Sequence, residues 1–285
     1  MSIVETFEKF FRDPRMVYLV IFVLSFAGAL APLDLPAPAD YFVKGAYDFV
    51  EKLKPGDVVM VMGAMGNDME RGSNSQTVAL LKHVISRGCD IIYWSSWYET
   101  LYVYDRELYP LLYNVTAIGD SPLYGTKIVD LGYLIGFRTV IIYTLARDIR
   151  SYCTVDRYGT PLDDLPMMKD LNDASKIKLF ITIGTGAPPA CWQDPIGAFK
   201  VGYGTACIGV AEGECLTEIA WARQIGLLEG LVYGVIGGRE YTKLTGIPGI
   251  GQYWGTQVFY VCLFVIVGTI ISNWYQLVYK KRRGG

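Results

Sequence analysis

Two glycine-rich stretches carry the residue types best suited to gripping a ligand. The first is "GAMGNDMERGSNSQ", residues 63–76, and the second is "GTGAPPACWQDP", residues 184–195. Each follows a short apolar run that reads as a strand, and the first leads into a helix. Backbone N–H groups near Gly63, Gly66 and Asn67, with Ser73 at the helix start, suit a phosphate or carboxylate, because free amides and a helix N-terminus attract anions. The pattern is neither G-x-G-x-x-G nor a loop ending in G-K-[ST], so it does not spell a nucleotide site. In the second stretch Trp192, Gln193 and Asp194 would touch a ligand; its prolines equally suit a protein-contact loop. If the two loops instead serve a hydrolase or transferase, Asp68, Glu70 and Asp194 are its acid–base candidates.

Other chemistry is thinner. Ser95 or Ser96 as a nucleophile needs a base. The one histidine, His83, sits among apolar residues in a helical pattern and reads as structural. There is no G-x-S-x-G turn. Asp148, Asp156, Asp163 and Asp164 do not follow an EF-hand spacing. They read as a solvated acidic loop with Arg147, Arg150 and Arg157 as ion partners, and no metal site is expected. Of six cysteines none forms C-x-x-C. Cys207 with Cys215 and Cys153 with Cys191 are candidate disulfides, leaving Cys89 free; the alternative is that all are small apolar core residues. No cofactor is named by any motif, and a net charge of −2 gives no nucleic-acid signal.

The elements that must position these loops begin with the bulk pattern. Apolar residues make up 52% of the 285-residue chain, and the mean hydropathy is +0.27. Two uncharged segments, residues 16–33 and 256–279, approach the ~20 residues that cross a bilayer, with aromatic residues near their ends. Lys9, Arg12 and Arg15 precede the first, and "KKRR" at 280–283 follows the second. The positive-inside rule then places both termini in the cytoplasm. The expected layout is a cytoplasmic segment 1–15, transmembrane helix 16–33, extracytoplasmic domain 34–255, transmembrane helix 256–279 and basic tail 280–285. Pro32 disfavours cleavage of the first segment as a signal peptide. "PLDLPAPAD" reads as a stiff stalk, and Asn114–Thr116 is a glycosylation sequon in an external domain.

Between the spans, helical and extended patterns alternate. Residues 41–53 read as an amphipathic helix, 57–62 as a strand, 75–88 as a helix closed by Gly88, 89–97 as a strand and 98–115 as a tyrosine-rich helix. "TKIVDLGYL", "RTVIIYTLA", "KIKLFITIGTG" and "AFKVGYGTACIGVA" follow as strands. This alternation predicts an α/β domain with a mostly parallel, Rossmann-like sheet flanked by helices. Residues 214–244 read as one long helix containing Gly226, Gly230, Gly234 and Gly238 at a spacing of four. That row is too short to span a bilayer and would be a seam for close packing, either on the domain's own sheet or on a second subunit.

Taken together, "KPGDVVMVMG", "DRYGTPLDDLPMM", the "GLLEGL…GGREY" glycine helix and the two terminal spans resemble an uncharacterised family of two-span prokaryotic membrane proteins. The resemblance implies the architecture and no activity. The expected function is a non-enzymatic, membrane-anchored binding or scaffold protein that builds a homo-oligomer at the cell membrane. Its expected partners are lipid, further copies of itself and another membrane or envelope protein. The 21 tyrosines would supply contact surface.

Overall fold

A computed structural model describes residues 13–30, 39–66, 73–184, 193–212, 216–247 and 251–275. In chain order the elements are α1 (Pro14–Leu30), α2 (Tyr41–Val50), β1 (Val58–Ala64), α3 (Ser73–Ser86), β2 (Asp90–Ser95) and α4 (Glu99–Val103). A π-helical turn (Tyr104–Leu108) joins α4 to α5 (Tyr109–Tyr113). Then come β3 (Ile128–Tyr133), α6 (Arg138–Arg147), α7 (Ile149–Tyr152), β4 (Ile177–Gly184) and α8 (Gln193–Pro195), which runs into a second π-helical turn (Ile196–Val201). The chain closes with β5 (Ala206–Ala211), α9 (Leu216–Gln224), β6 (Gly230–Tyr233), α10 (Gly234–Thr245) and α11 (Gly251–Tyr275).

The chain divides into two units, Met1–Pro36 with Ile250–Gly285, and Ala37–Gly249. In the first unit α1 and α11 pack on each other. Among the described residues no helix is long and apolar enough to cross a membrane. Helix α1 has 17 residues, roughly 25 Å at 1.5 Å per residue, against a hydrocarbon core of about 30 Å. Helix α11 is longer, but Gln257 and Asn273 bound its apolar stretch to about 22 Å. The two-span reading is therefore corrected. The cell-membrane placement, with cytoplasmic termini and an external domain, loses its support with it. The proline stretch at 31–38 lies outside the described residues.

The second unit is built on six parallel strands in the order β3-β2-β1-β4-β5-β6. Both faces are covered, so the central strands read as unbroken apolar runs rather than alternating ones. Val59 to Ala64 of β1 are all buried. Met60, Met62, Ile92, Trp94 and Phe180 face one core, closed by α6, the second π-helical turn and α9. Val59, Val61, Ile91, Tyr93 and Ile181 face the other, closed by α2, α3, the α4–α5 segment and α10. The sheet and its flanking helices are the α/β architecture that the alternation predicts.

Three sequence expectations fail locally. "RTVIIYTLA" is helix α6, not a strand: Ile141, Ile142, Leu145 and Ala146 are buried at helical spacing. In "AFKVGYGTACIGVA" only Ala206–Ala211 is extended; Gly204, at φ +73°, turns the chain out of the π-helical segment. The long glycine helix is three elements. Gly226 (φ +80°) ends α9 in the left-handed region that favours glycine. Gly230 opens β6, where an added Cβ would stand 2.0 Å from the Ala46 backbone nitrogen of α2. Gly234 (φ +55°) starts α10. Gly238 faces α3, where a Cβ would lie 2.9 Å from the Gln76 side chain. The spacing of four reflects four separate backbone requirements, and the row forms no single helical seam.

Candidate functional site at the carboxyl edge of the sheet

In an open parallel sheet the chain leaves β1 toward one side and β4 toward the other, so their carboxyl ends border a crevice. Here β1 and β4 are adjacent, and the two loops singled out in the sequence leave from their ends. Residues 67–72 and 185–192 of those loops lie outside the described residues. Asn67, Asp68, Glu70, Cys191 and Trp192 are among them, as are the side chains at Ser73 and its two successors. What is described is the frame beneath.

That frame is tightly built at β1. An added Cβ on Gly63 would meet Thr100 Cγ2 and Tyr104 Oη at 2.4 Å, so the absent side chain lets the α4 segment close over the strand end. Thr100 Oγ1 accepts from the Met65 amide (2.9 Å) and donates to the Met65 carbonyl (3.0 Å), fixing the exit toward the partly exposed Gly66. Ser95 Oγ donates to the Gly63 carbonyl at 3.0 Å and accepts from the Trp97 amide at 2.9 Å. Ser95 is thus an anchor for the β2 turn. His83 is elsewhere: Nε2 lies 2.8 Å from Glu51 Oε1 and Nδ1 lies 2.9 Å from the Tyr241 hydroxyl. A carboxylate only accepts, so Nε2 carries the proton and Nδ1 accepts from Tyr241 in the neutral ring. Burial lowers the His83 pKa, opposed by the Glu51 contact. These contacts make His83 a structural residue, and among the described residues no serine side chain pairs with its imidazole. Asp194, half-buried in α8, accepts from Thr139 Oγ1 at 2.6 Å.

Near the start of α3 and the end of β2, buried polar atoms stand without hydrogen-bond partners: Gln76 Nε2 and Oε1, Thr77 Oγ1, Trp94 Nε1 and Ser96 Oγ. Gln76, Thr77 and Trp94 are fully buried. Gln76 and Thr77 lie near the start of α3, which enters from β1, and Trp94 and Ser96 flank the end of β2. Each such group costs on the order of 1–3 kcal/mol and calls for a partner. Sequence reasoning missed them. The available signal was the polar pair Gln76-Thr77 immediately before the apolar "VALL".

The strongly buried carboxylate is also one the sequence reading passed over. Asp130, on β3, has no exposed surface. It accepts from the Gly132 amide (2.8 Å), Tyr109 hydroxyl (2.8 Å) and Arg157 guanidinium (3.2 Å). Burial raises its pKa, and these three donors pull it back. Arg157 also grips Asp105 with both terminal nitrogens, at 2.8 and 2.6 Å. Asp156, expected in a solvated loop, is buried and accepts from Tyr124 and the amides of Tyr158 and Thr160, all at 2.8 Å. Arg150 pairs with Asp163 as expected. This set organises a turn and the β3 edge.

Cys153 and Cys207 are buried free thiols, not halves of disulfides. Cys207 is held in β5 within the core, and Cys153 beside the Val155 carbonyl; the expected partners Cys191 and Cys215 lie outside the described residues. Burial pushes the Cys207 thiol up to about 12 and Cys89 up to about 11, so neither is a thiolate at neutral pH.

Fold and strand order together define a doubly wound, Rossmann-like α/β domain whose topological switch point lies between β1 and β4. No protein-family model matches the chain, and no curated protein or solved structure matches it. The resemblance to two-span prokaryotic membrane proteins is thereby corrected. Its motifs are short turn-and-strand combinations that many α/β chains can carry, and the spans that completed it are not upheld.

Proposed function

We propose that residues 37–249 form a ligand-binding domain that acts by recognition rather than by chemistry, taking a small uncharged polar group at the β1/β4 end of the sheet. The observation that carries this reading is that Gln76 and Thr77, in the first turn of the helix that follows β1, are fully buried with no partner for their side-chain polar atoms. The set is neutral and offers both donors and acceptors, as an amide, a sugar hydroxyl or a nucleobase edge requires. Shielding from bulk water makes each hydrogen bond to it count for more. The strand order supports the location, since crevices of this kind are where open α/β sheets bind ligands. Ser95 is tied to Gly63 and Trp97, and His83 to Glu51 and Tyr241, which favours binding over nucleophilic catalysis.

Native mass spectrometry of the full chain tests this, as purified and after incubation with nucleosides, hexoses and primary amides. One bound molecule per chain, lost in Gln76→Leu, is the expected result. Equal binding by Gln76→Leu would sink the assignment of the site. Preferential binding of inorganic phosphate would move the ligand to the backbone amides at the start of α3.

A further inference from the structure

We infer that the aromatic ridge beyond the ends of β2 and β3 is the contact surface for a second copy of this chain. Trp97 stacks on Tyr98, with centroids 6.3 Å apart, and Tyr98 meets Tyr133 edge-on at 6.5 Å. From Tyr133 the chain continues with period two: Leu134 turns into the core while Tyr133 and Ile135 turn out. Phe137 and Val140 extend the ridge one turn along α6. The Tyr152 hydroxyl donates to the Ile135 carbonyl, so the protruding segment is pinned rather than free.

These six residues are 38–86% exposed, with Ile135 at 78% and Phe137 at 86%. At roughly 150–250 Å² per aromatic side chain, they leave on the order of 700 Å² of mostly apolar surface open. That exceeds the roughly 300–600 Å² of the largest patch on a typical monomer and approaches the ~800 Å² that each partner contributes to a standard interface. Charges of both signs adjoin the ridge in the chain: Glu99, which accepts from the Tyr98 hydroxyl at 3.0 Å, and Arg138, which follows Phe137. A two-fold arrangement sets the same patch against itself, and only a rim of mixed sign does so without like-charge repulsion. A strongly acidic or basic partner would instead call for a rim of one sign. The ridge is separate from the glycine row, two of whose members are already filled by neighbouring helices of the same domain.

Sedimentation velocity on the full chain across the micromolar range, beside the double variant Ile135→Ser/Phe137→Ser, reads this out. A wild-type dimer that the double variant dissociates at least about tenfold more readily is expected, as for a hydrophobic hot spot. The two side chains are over three-quarters exposed, so the thermal midpoint of the variant should match that of the wild-type chain diluted to monomer. If the loop variant misfolds, Val140→Asp gives the same readout from the helix. A wild-type chain monomeric throughout the range overturns the inference. A dimer that persists unchanged in the folded variants overturns it equally, by placing the contact elsewhere.

Discussion

Two regions of this domain bury polar side chains in opposite ways. At the β3 edge Asp130 is saturated: a guanidinium, a phenol and a backbone amide all donate to it, and Asp105 shares the same arginine. At the start of α3 and the end of β2, Gln76, Thr77, Trp94 and Ser96 have none of this. Both regions are water-excluded, so low dielectric acts on both. In the first it strengthens a closed network that fixes one packing. In the second it leaves a standing cost, of the kind that a bound molecule, water included, offsets. Burial of polar groups alone therefore says little about function; whether the burial is satisfied separates scaffold from site.

The sharpest break of this contrast comes at the saturated end. Arg157→Met leaves Asp130 and its charge buried with only neutral donors. A loss of about 3–5 kcal/mol in urea unfolding at neutral pH is expected for breaking a buried pair from one side. The sign with pH follows from the direction of the shift. Burial already raises the Asp130 pKa above its ordinary value, and removing Arg157 raises it further. A carboxyl raised in the folded state contributes its stability below the unfolded-state pKa and loses it as pH rises through the folded one. The gap between variant and wild type should thus shrink as pH falls from neutral toward the ordinary carboxylate range. A gap that stays constant would mean Asp130 is not the group left exposed to the change.

A smaller effect is expected from the one satisfied element at the edge itself. Thr100→Val keeps the shape but removes the hydroxyl that serves both the amide and the carbonyl of Met65. Leaving these buried groups unpaired should cost about 1–3 kcal/mol. Chemical denaturation with unchanged m-value would show it. A neutral result would indicate that Met65 finds other partners, and that the edge is looser than its frame suggests.

How much of this could be read in advance follows from the range of the interactions. Strands β1, β2, β3 and β4 are apolar runs punctuated by glycine or proline, and their pattern is local. So were the two loops, marked by strand, glycine and helix in succession. Helix α6 reads as a strand because "TVII" is β-branched, while its burial repeats at helical spacing. Strand β6 was hidden because "GLVY" is four residues set between helical patterns and is extended only through its pairing with β5. Without β6 the order of strands, and hence the completed sheet beside the β1/β4 crevice, could not be drawn. Asp130 stood in "KIVDLGYL" as a lone charge in an apolar strand, which is a visible anomaly. Its partners Tyr109 and Arg157 are distant in the chain, and no spacing rule joins them.

The smallest expected effect is the most telling, because its sign differs from the usual. Most substitutions of a fully buried residue destabilise by about 0.5–3 kcal/mol. Gln76 is fully buried, yet neither of its amide atoms has a partner. Gln76→Leu exchanges an unsatisfied amide for an apolar side chain of similar length, so no hydrogen bond is lost and a desolvation cost is removed. Branching at Cγ presses toward Gly238, which has no side chain to clash and lies against the Gln76 Cγ already. The expected change in the unliganded chain is between neutral and about 1 kcal/mol of stabilisation, read by urea unfolding. Thr77→Val, an isosteric removal of an unpartnered hydroxyl, should behave alike. Destabilisation by both would mean that these groups are paired within the protein, and the distinction between a saturated scaffold and an unfilled edge would collapse. Stabilisation by both, with ligand lost in Gln76→Leu, would mean that the chain keeps these groups unpaired in the free state for the sake of what it binds.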